Sequence, residues 1–281
     1  MVKIITDTTS CISQEIASKY GIPVIPQIIN FGEESYFEGS QMDIPTFMKR
    51  LRTSPILPKT AAPPPGLFTE EFRRLVPLGE PIICIHPSRE VSGTVNSATV
   101  AALEFPQADI RVIDTRLVAS PLGSLVELAA QWAAAGADAD TIEARLRDYM
   151  QRTRLYFLVA TLEYLQRGGR IGGAQALLGT VLQIKPILCL RDGRVDQFEK
   201  ERTHKRAIAR LKELVINQAP HDGTAHLSVM HAGVLEEGQA LAAELSQLIN
   251  QPQVPVVDMP PAIVTHGGPG ILAVGFFIKS E

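Results

Sequence analysis

Cysteine is scarce and scattered. Cys11, Cys84 and Cys189 are the three in the chain, an odd number with no Cys-x-x-Cys pair, so neither a disulfide framework nor a thiolate zinc site is suggested. No charge sign dominates: 27 basic and 30 acidic residues leave a formal net charge of −3, which gives no footprint for nucleic acid and no charged tail. The uncharged stretch at 171–184 falls short of the about 20 apolar residues a spanning helix needs. Met1 opens directly into a strand-like run without a basic and apolar leader, so a cytoplasmic location is expected. Nucleotide and hydrolase signatures are missing as well. Lys59-Thr60 has no GxxxxG before it, GGRIGG does not match GxGxxG, and neither GxSxG nor HExxH occurs. The histidines at 86, 204, 221, 226 and 231 form no helical ligand pair. No metal and no cofactor is expected.

The 281 residues, 45% hydrophobic and 20% charged, are those of an ordinary globular chain long enough for two domains. Strand-like runs at 2–6, 24–31, 81–86 and 110–114 alternate with helical patterns near 13–19, 43–52, 67–76 and 93–104, the alternation of βαβ units and a mostly parallel sheet. Helices at 120–136 and 139–153 follow, and a domain boundary is placed at 153, giving α/β domains at 1–153 and 154–281. The second reads as a mixed sheet, with strands at 156–160, 186–191, 194–200, 226–230 and 271–278. Its helices are expected near 162–167, 174–184, 203–217 and 235–249. Asp192-Gly193 between two strand-like runs predicts a type I′ hairpin. AAPPPG at 61–66 reads as a stiff extended loop entering a helix.

Parallel α/β sheets bind ligands at loops following strands. Four polar loops qualify. TDTTS at 6–10 carries Asp7 and Thr8. Thr60 precedes the proline-rich stretch and a helix read as acidic in its first turn. Ser92 reads as an N-cap, with Gly93 leaving its amide open to an anion. THGGPG at 265–270 holds His266 and Gly267 in a loop before the last strand. In addition, Arg167 and Arg170 straddle two glycines ahead of apolar residues at 3,4 spacing, among them Leu177, Leu178, Val181 and Ile184. Two cations beside an apolar helix suit a ligand with a charged head and a greasy body.

The chain resembles the DegV family, which includes the fatty-acid-binding subunits of bacterial fatty acid kinase. The motifs that carry the likeness are TDTTS at 6–10, KTAAPPPGLF at 59–68, SGTVNSA at 92–98, VIDTRLVASPLG at 112–123, LEYLQRGGRIGGAQALLGTVLQIKPIL at 162–188, the segment 192–208 and THGGPG. The resemblance implies two α/β domains with one fatty acid held between them. It implies carboxylate contacts from Thr60, Ser92, the Gly93 amide and His266. Arg170, with Arg202 and Lys205, would lie near the head group or its phosphorylated form, and Asp7, Thr8 and Gly267 would support the loops. Leu177, Leu178, Val181 and Ile184 would wall an apolar tunnel. The family member is not the kinase. It presents the fatty acid to a separate ATP-dependent kinase subunit, carries the acyl phosphate, and touches membranes only transiently. The sequence departs from the family's usual polar residues at Ala61, Ala62 and Pro64. The expected ligand is a long-chain acid, roughly C14 to C18, whose tail gains about 0.8 kcal/mol per buried CH₂. Two readings compete: a phosphotransferase or hydrolase using Ser92 and His266, with Asp7 completing a triad, and a regulatory lipid-binding protein.

Overall fold

The computed structural model describes residues 1–178 and 184–279. The chain forms two compact units, Met1–Gln151 and Arg152–Glu281, each α/β. No helix among the described residues is long and apolar enough to cross a membrane.

The first unit runs β1 (Lys3–Asp7), α1 (Gln14–Tyr20), β2 (Val24–Ile25), β3 (Ile28–Phe31), β4 (Glu34–Phe37), α2 (Ile44–Thr53), β5 (Lys59–Ala61), α3 (Pro65–Leu75), β6 (Ile82–His86), α4 (Thr94–Ala102), β7 (Ile110–Asp114), α5 (Ala119–Ala134) and α6 (Ala139–Arg152). Its main sheet has the order β2-β1-β6-β7 and is parallel throughout. Every residue of β6 is buried, the continuous apolar habit of a strand covered on both faces. Phe68 and Phe72 of α3, with Ala98 and Ala101 of α4, pack against Ile5, Ile82 and Cys84.

The run at 24–31 does not form one strand. Pro26 has no N–H to donate and ends β2; the chain then leaves the parallel sheet, and β3 pairs antiparallel with β4 and β5 in a small second sheet. The break sets Gln27 between the two sheets, 3% exposed.

The second unit runs β8 (Thr153–Leu158), α7 (Glu163–Arg167), a 3₁₀ helix (Gly172–Leu177), β9 (Lys185–Arg191), β10 (Arg194–Glu201), α8 (His204–Gln218), β11 (Ser228–His231), α9 (Leu235–Leu248), β12 (Val256–Asp258), α10 (Pro261–Gly267) and β13 (Leu272–Phe277). The sheet order is β10-β9-β8-β13-β11-β12. It is mixed: only β11 and β12 run parallel. Alternate residues Tyr156 and Leu158, Ile187 and Cys189, and Leu272, Val274 and Phe276 share one buried cluster with Leu211 and Val215 of α8 and Leu241 and Leu245 of α9, the period of two that places one strand face on a helix layer. At the β9–β10 turn Asp192 and Gly193 have φ of 51° and 80°, both positive as a type I′ hairpin requires.

Of the expected helix at 174–184, residues 179–183 lie outside the described residues, and the described part departs from it. Its beginning is a 3₁₀ helix that ends at Leu177, and Leu178 is extended at φ −66°, ψ 131°. Val181 lies outside the described residues. Elements not anticipated from sequence are β4, β5, β12 and α10.

Candidate functional site

In the first unit the loops after β1 and β6 meet because these strands are parallel neighbours. Asp7 ends β1, His86 ends β6, and both are fully buried. His86 Nδ1 lies 2.7 Å from Asp7 Oδ2, while Phe68 meets the imidazole edge-on at 5.2 Å. The other oxygen, Asp7 Oδ1, accepts from the Thr9 amide at 3.0 Å, the Thr9 hydroxyl at 2.6 Å and Gln27 Nε2 at 3.0 Å. Gln27 Nε2 also reaches Thr94 Oγ1 at 2.9 Å, and Thr94 Oγ1 lies 2.8 Å from Ser92 Oγ. Thr8 donates its hydroxyl to the buried Glu38 carboxylate and accepts the Gln27 amide at 3.1 Å. Buried carboxylates need such donors, since an unpaired one costs several kcal/mol.

Ser92 is not the N-cap of α4. Gly93 takes that place and, having no side chain, makes no cap bond; the Ser92 hydroxyl instead meets the amide and hydroxyl of Thr94. The Gly93 amide therefore stands at the start of a nine-residue helix, where N–H groups lack intrahelical partners and the dipole is positive. A Cβ on Gly93 would sit 3.3 Å from the Ala62 side chain, so the chain just after β5 passes beside Gly93. Thr60 lies within β5, paired with Ile29, rather than in a free loop. The helix after it, α3, begins at Pro65, has Pro64 as its N-cap and carries no acidic residue in its first turn. Ser92 thus rests on a bed formed by Thr94, Gln27, Asp7 and His86, and the chain two residues after Thr60 comes close to Gly93. A triad of Asp7, His266 and Ser92 is corrected: Asp7 is committed to His86.

In the second unit Thr265, His266 and Gly267 form the end of α10, not a loop. This helix packs against α7 through small residues. A Cβ on Gly168 would stand 2.3 Å from His266 Nδ1, and one on Gly268 would stand 2.4 Å from the Tyr164 ring. The LEYLQRGGR and THGGPG segments therefore interlock, each supplying glycine where the other brings a ring. Arg170 donates from Nη1 to the Gly168 carbonyl at 2.6 Å, which holds the guanidinium back over the same turn. Gly267 is buried against Ile271. Leu177 is buried, and Leu178 and Ile184 are half-buried. Arg202 and Lys205 are exposed at the start of α8, whose first turn holds no acidic residue. Cations there oppose the helix dipole, an arrangement that an anion relieves.

Burial, and secondarily the positive charge of Arg170, lower the His266 pKa to about 4. The unfolded chain takes up this proton near pH 6.5. The folded chain therefore gains stability from a neutral imidazole above pH 6.5, and loses it as pH falls from 6.5 toward 4. Urea denaturation across that window is expected to show a loss on the order of 2 kcal/mol, and His266→Asn is expected to remove most of it. Depressed carboxylates such as Glu199 and Asp109 act at lower pH and are separable.

Among the described residues no group of three His, Cys, Asp or Glu is placed to hold a metal ion. A cavity of about 370 Å³ lined by Lys3, Lys19, Tyr20, Leu75 and Ala133 opens at the start of β1, the opposite end of the strand from Asp7.

Sequence reasoning missed Gln27 and the role of His86. The signal for His86 was available: two parallel neighbouring strands ending Thr6-Asp7 and Ile85-His86 bring those side chains to one level. Gln27 carried no such signal, because its position depends on the strand break at Pro26.

A family model described as "Uncharacterised protein, DegV family" matches residues 1–279. A DegV domain-containing protein of Halalkalibacterium halodurans is 35% identical over 279 residues, 99% of each chain. Among solved structures, DegV of Bacillus subtilis, described as a fatty acid binding protein, is 31% identical with a TM-score of 0.89. A DegV family protein of Thermus thermophilus, described by its fatty acid binding, is 29% identical with a TM-score of 0.88. Each alignment covers 99% of both chains.

Proposed function

Because the chain belongs to the DegV family, we propose that it binds a long-chain fatty acid and presents the carboxylate to a separate ATP-dependent kinase subunit, which converts it to the acyl phosphate. The observation that carries the binding step is similarity, over 99% of both chains, to DegV proteins of Bacillus subtilis and Thermus thermophilus described as binding fatty acids. The local chemistry agrees. Thr60 and Ser92 supply hydroxyls and Gly93 an amide, donors suited to a carboxylate oxygen without a buried salt bridge. His266 is the proposed further head-group ligand, and Leu177, Leu178, Val181 and Ile184 are the proposed contacts of the acyl chain. Asp7, Thr8 and Gly267 hold the loops that carry these groups.

Arg170, Arg202 and Lys205 take the second part of the proposal. Phosphorylation adds charge to the head group, and a guanidinium stays charged and bonds two oxygens at once. Arg202 and Lys205 stand exposed where the α8 dipole is already positive, which suits a phosphate or an acidic partner surface. Arg170→Ala is expected to leave fatty acid affinity within about twofold while lowering acyl phosphate formation at least tenfold with a bacterial fatty acid kinase subunit and ATP. Calorimetric titration and a coupled ATP assay measure the two. Equal loss of both would refute this division of roles.

A further inference from the structure

The polar bed under Ser92 has a direction. An ionised carboxylate only accepts hydrogen bonds, so the side of the Gln27 amide that faces Asp7 Oδ1 at 3.0 Å is the NH₂. Its second hydrogen points at Thr94 Oγ1, 2.9 Å away. Thr94 accepts there and has one proton left to give. The next oxygen is Ser92 Oγ at 2.8 Å, which also accepts the Thr94 amide at 3.3 Å. A serine hydroxyl has two acceptor positions and one proton. With both acceptor positions filled from behind, Ser92 has only its proton to offer forward.

From this order of donors we infer that Gln27 and Thr94 are positioning residues that make Ser92 an obligate donor, so that the group it meets must accept, which favours a carboxylate, the stronger acceptor, over a neutral head. Gln27 and Thr94 do not touch the ligand; they are 3% and 0% exposed. Asp7 and His86 anchor the chain at its far end and fix which way the Gln27 amide faces. Bonds aligned in one direction also polarise one another. The inference rests on the fatty acid reading above and adds the selection of an anionic head over a neutral one of equal chain length.

The test compares palmitate with 1-hexadecanol, which share a tail and differ at the head. A hydrogen bond to a charged group is worth more than one to a neutral group, so the wild type is expected to prefer the acid. Gln27→Met removes the NH₂ at nearly constant volume and is expected to lower the acid-to-alcohol affinity ratio about tenfold. Thr94→Val is expected to do the same, and Thr94→Ser, which keeps the hydroxyl, to restore the ratio. The alcohol itself should bind no worse, because a hydroxyl head can accept or donate. Thermal denaturation identifies a variant that fails to fold, and Gln27 and Thr94 are probed separately so that one can stand for the other. Parallel loss of acid and alcohol affinity, or an unchanged ratio in both variants, would overturn the positioning role. If the wild type binds neither lipid, the fatty acid reading falls and the inference with it.

Discussion

Gly172→Ala is expected to lower the stability of the chain by about 3 kcal/mol. Two terms add at this position. Its φ is +50°, a conformation that costs an L-residue roughly 1–2 kcal/mol. A Cβ there would also stand 2.1 Å from the carbonyl oxygen of Val195, and backbone within β10 cannot swing aside as a side chain can. Overpacking of that kind costs about 1–3 kcal/mol. The entropy gained by removing glycine from the unfolded chain offsets less than about 1 kcal/mol. Gly169 provides the control. It has φ +69° with nothing within 4 Å, so Gly169→Ala is expected to cost no more than about 1 kcal/mol. Urea denaturation of both variants measures the difference, and equal midpoints would contradict the account of this segment.

Gly168→Ala is expected to act through a different atom. Its Cβ would overlap His266 Nδ1 at 2.3 Å and approach Cε1 at 3.3 Å. The other close atom, the Tyr164 carbonyl at 3.0 Å, is tight but needs only a few tenths of an ångström of relief. The imidazole must move, so fatty acid affinity is expected to fall together with about 1–3 kcal/mol of stability. The clash is with one side chain, which makes it reversible by a second substitution. His266→Ala should be hardly destabilised further by Gly168→Ala, a coupling of roughly 1–3 kcal/mol in the double-mutant cycle. Additive effects would mean that Gly168 is tight for some other reason.

These two positions help explain the RGGRIGG segment, whose arginines are easier to notice in the sequence than its glycines. Gly168 leaves room for a ring, Gly169 supplies a turn, and Gly172 combines a positive φ with close approach to the backbone of β10. None of this is local information: His266 and Val195 are far away in the chain, and only the pairing of α7 with α10, and of the 3₁₀ helix with β10, brings them near.

What was legible followed from period and punctuation. The run at 81–86 is mostly apolar and that at 110–114 is β-branched at three of its five positions, and they became β6 and β7 within a residue. Asp192-Gly193 fixed a hairpin through backbone chemistry alone. The run at 24–31 looked equally continuous, yet one proline divided it between two sheets. The 3,4 spacing after Ala174 suited an α-helix, but the described residues form 3₁₀ structure and then an extended Leu178. Such short apolar spacing does not fix the hydrogen-bond pattern. Short edge strands such as β5 and β12, three residues each, carry too few residues to show a period. The loops after β1 and β6 were legible as neighbours because parallel topology brings such loops to one edge of the sheet, whereas Thr60 sits in a short antiparallel strand. The orientation of Ser92 was not legible, since it depends on Gln27 and Thr94, which bear no motif of their own.

The claim most in need of direct measurement is that the chain carries a lipid. Denaturing mass spectrometry of a solvent extract of the purified protein tests it. The account predicts a long-chain fatty acid at close to one molecule per chain, with its length and unsaturation read from the mass. An empty extract, together with no thermal stabilisation on adding myristic to stearic acid, would contradict it.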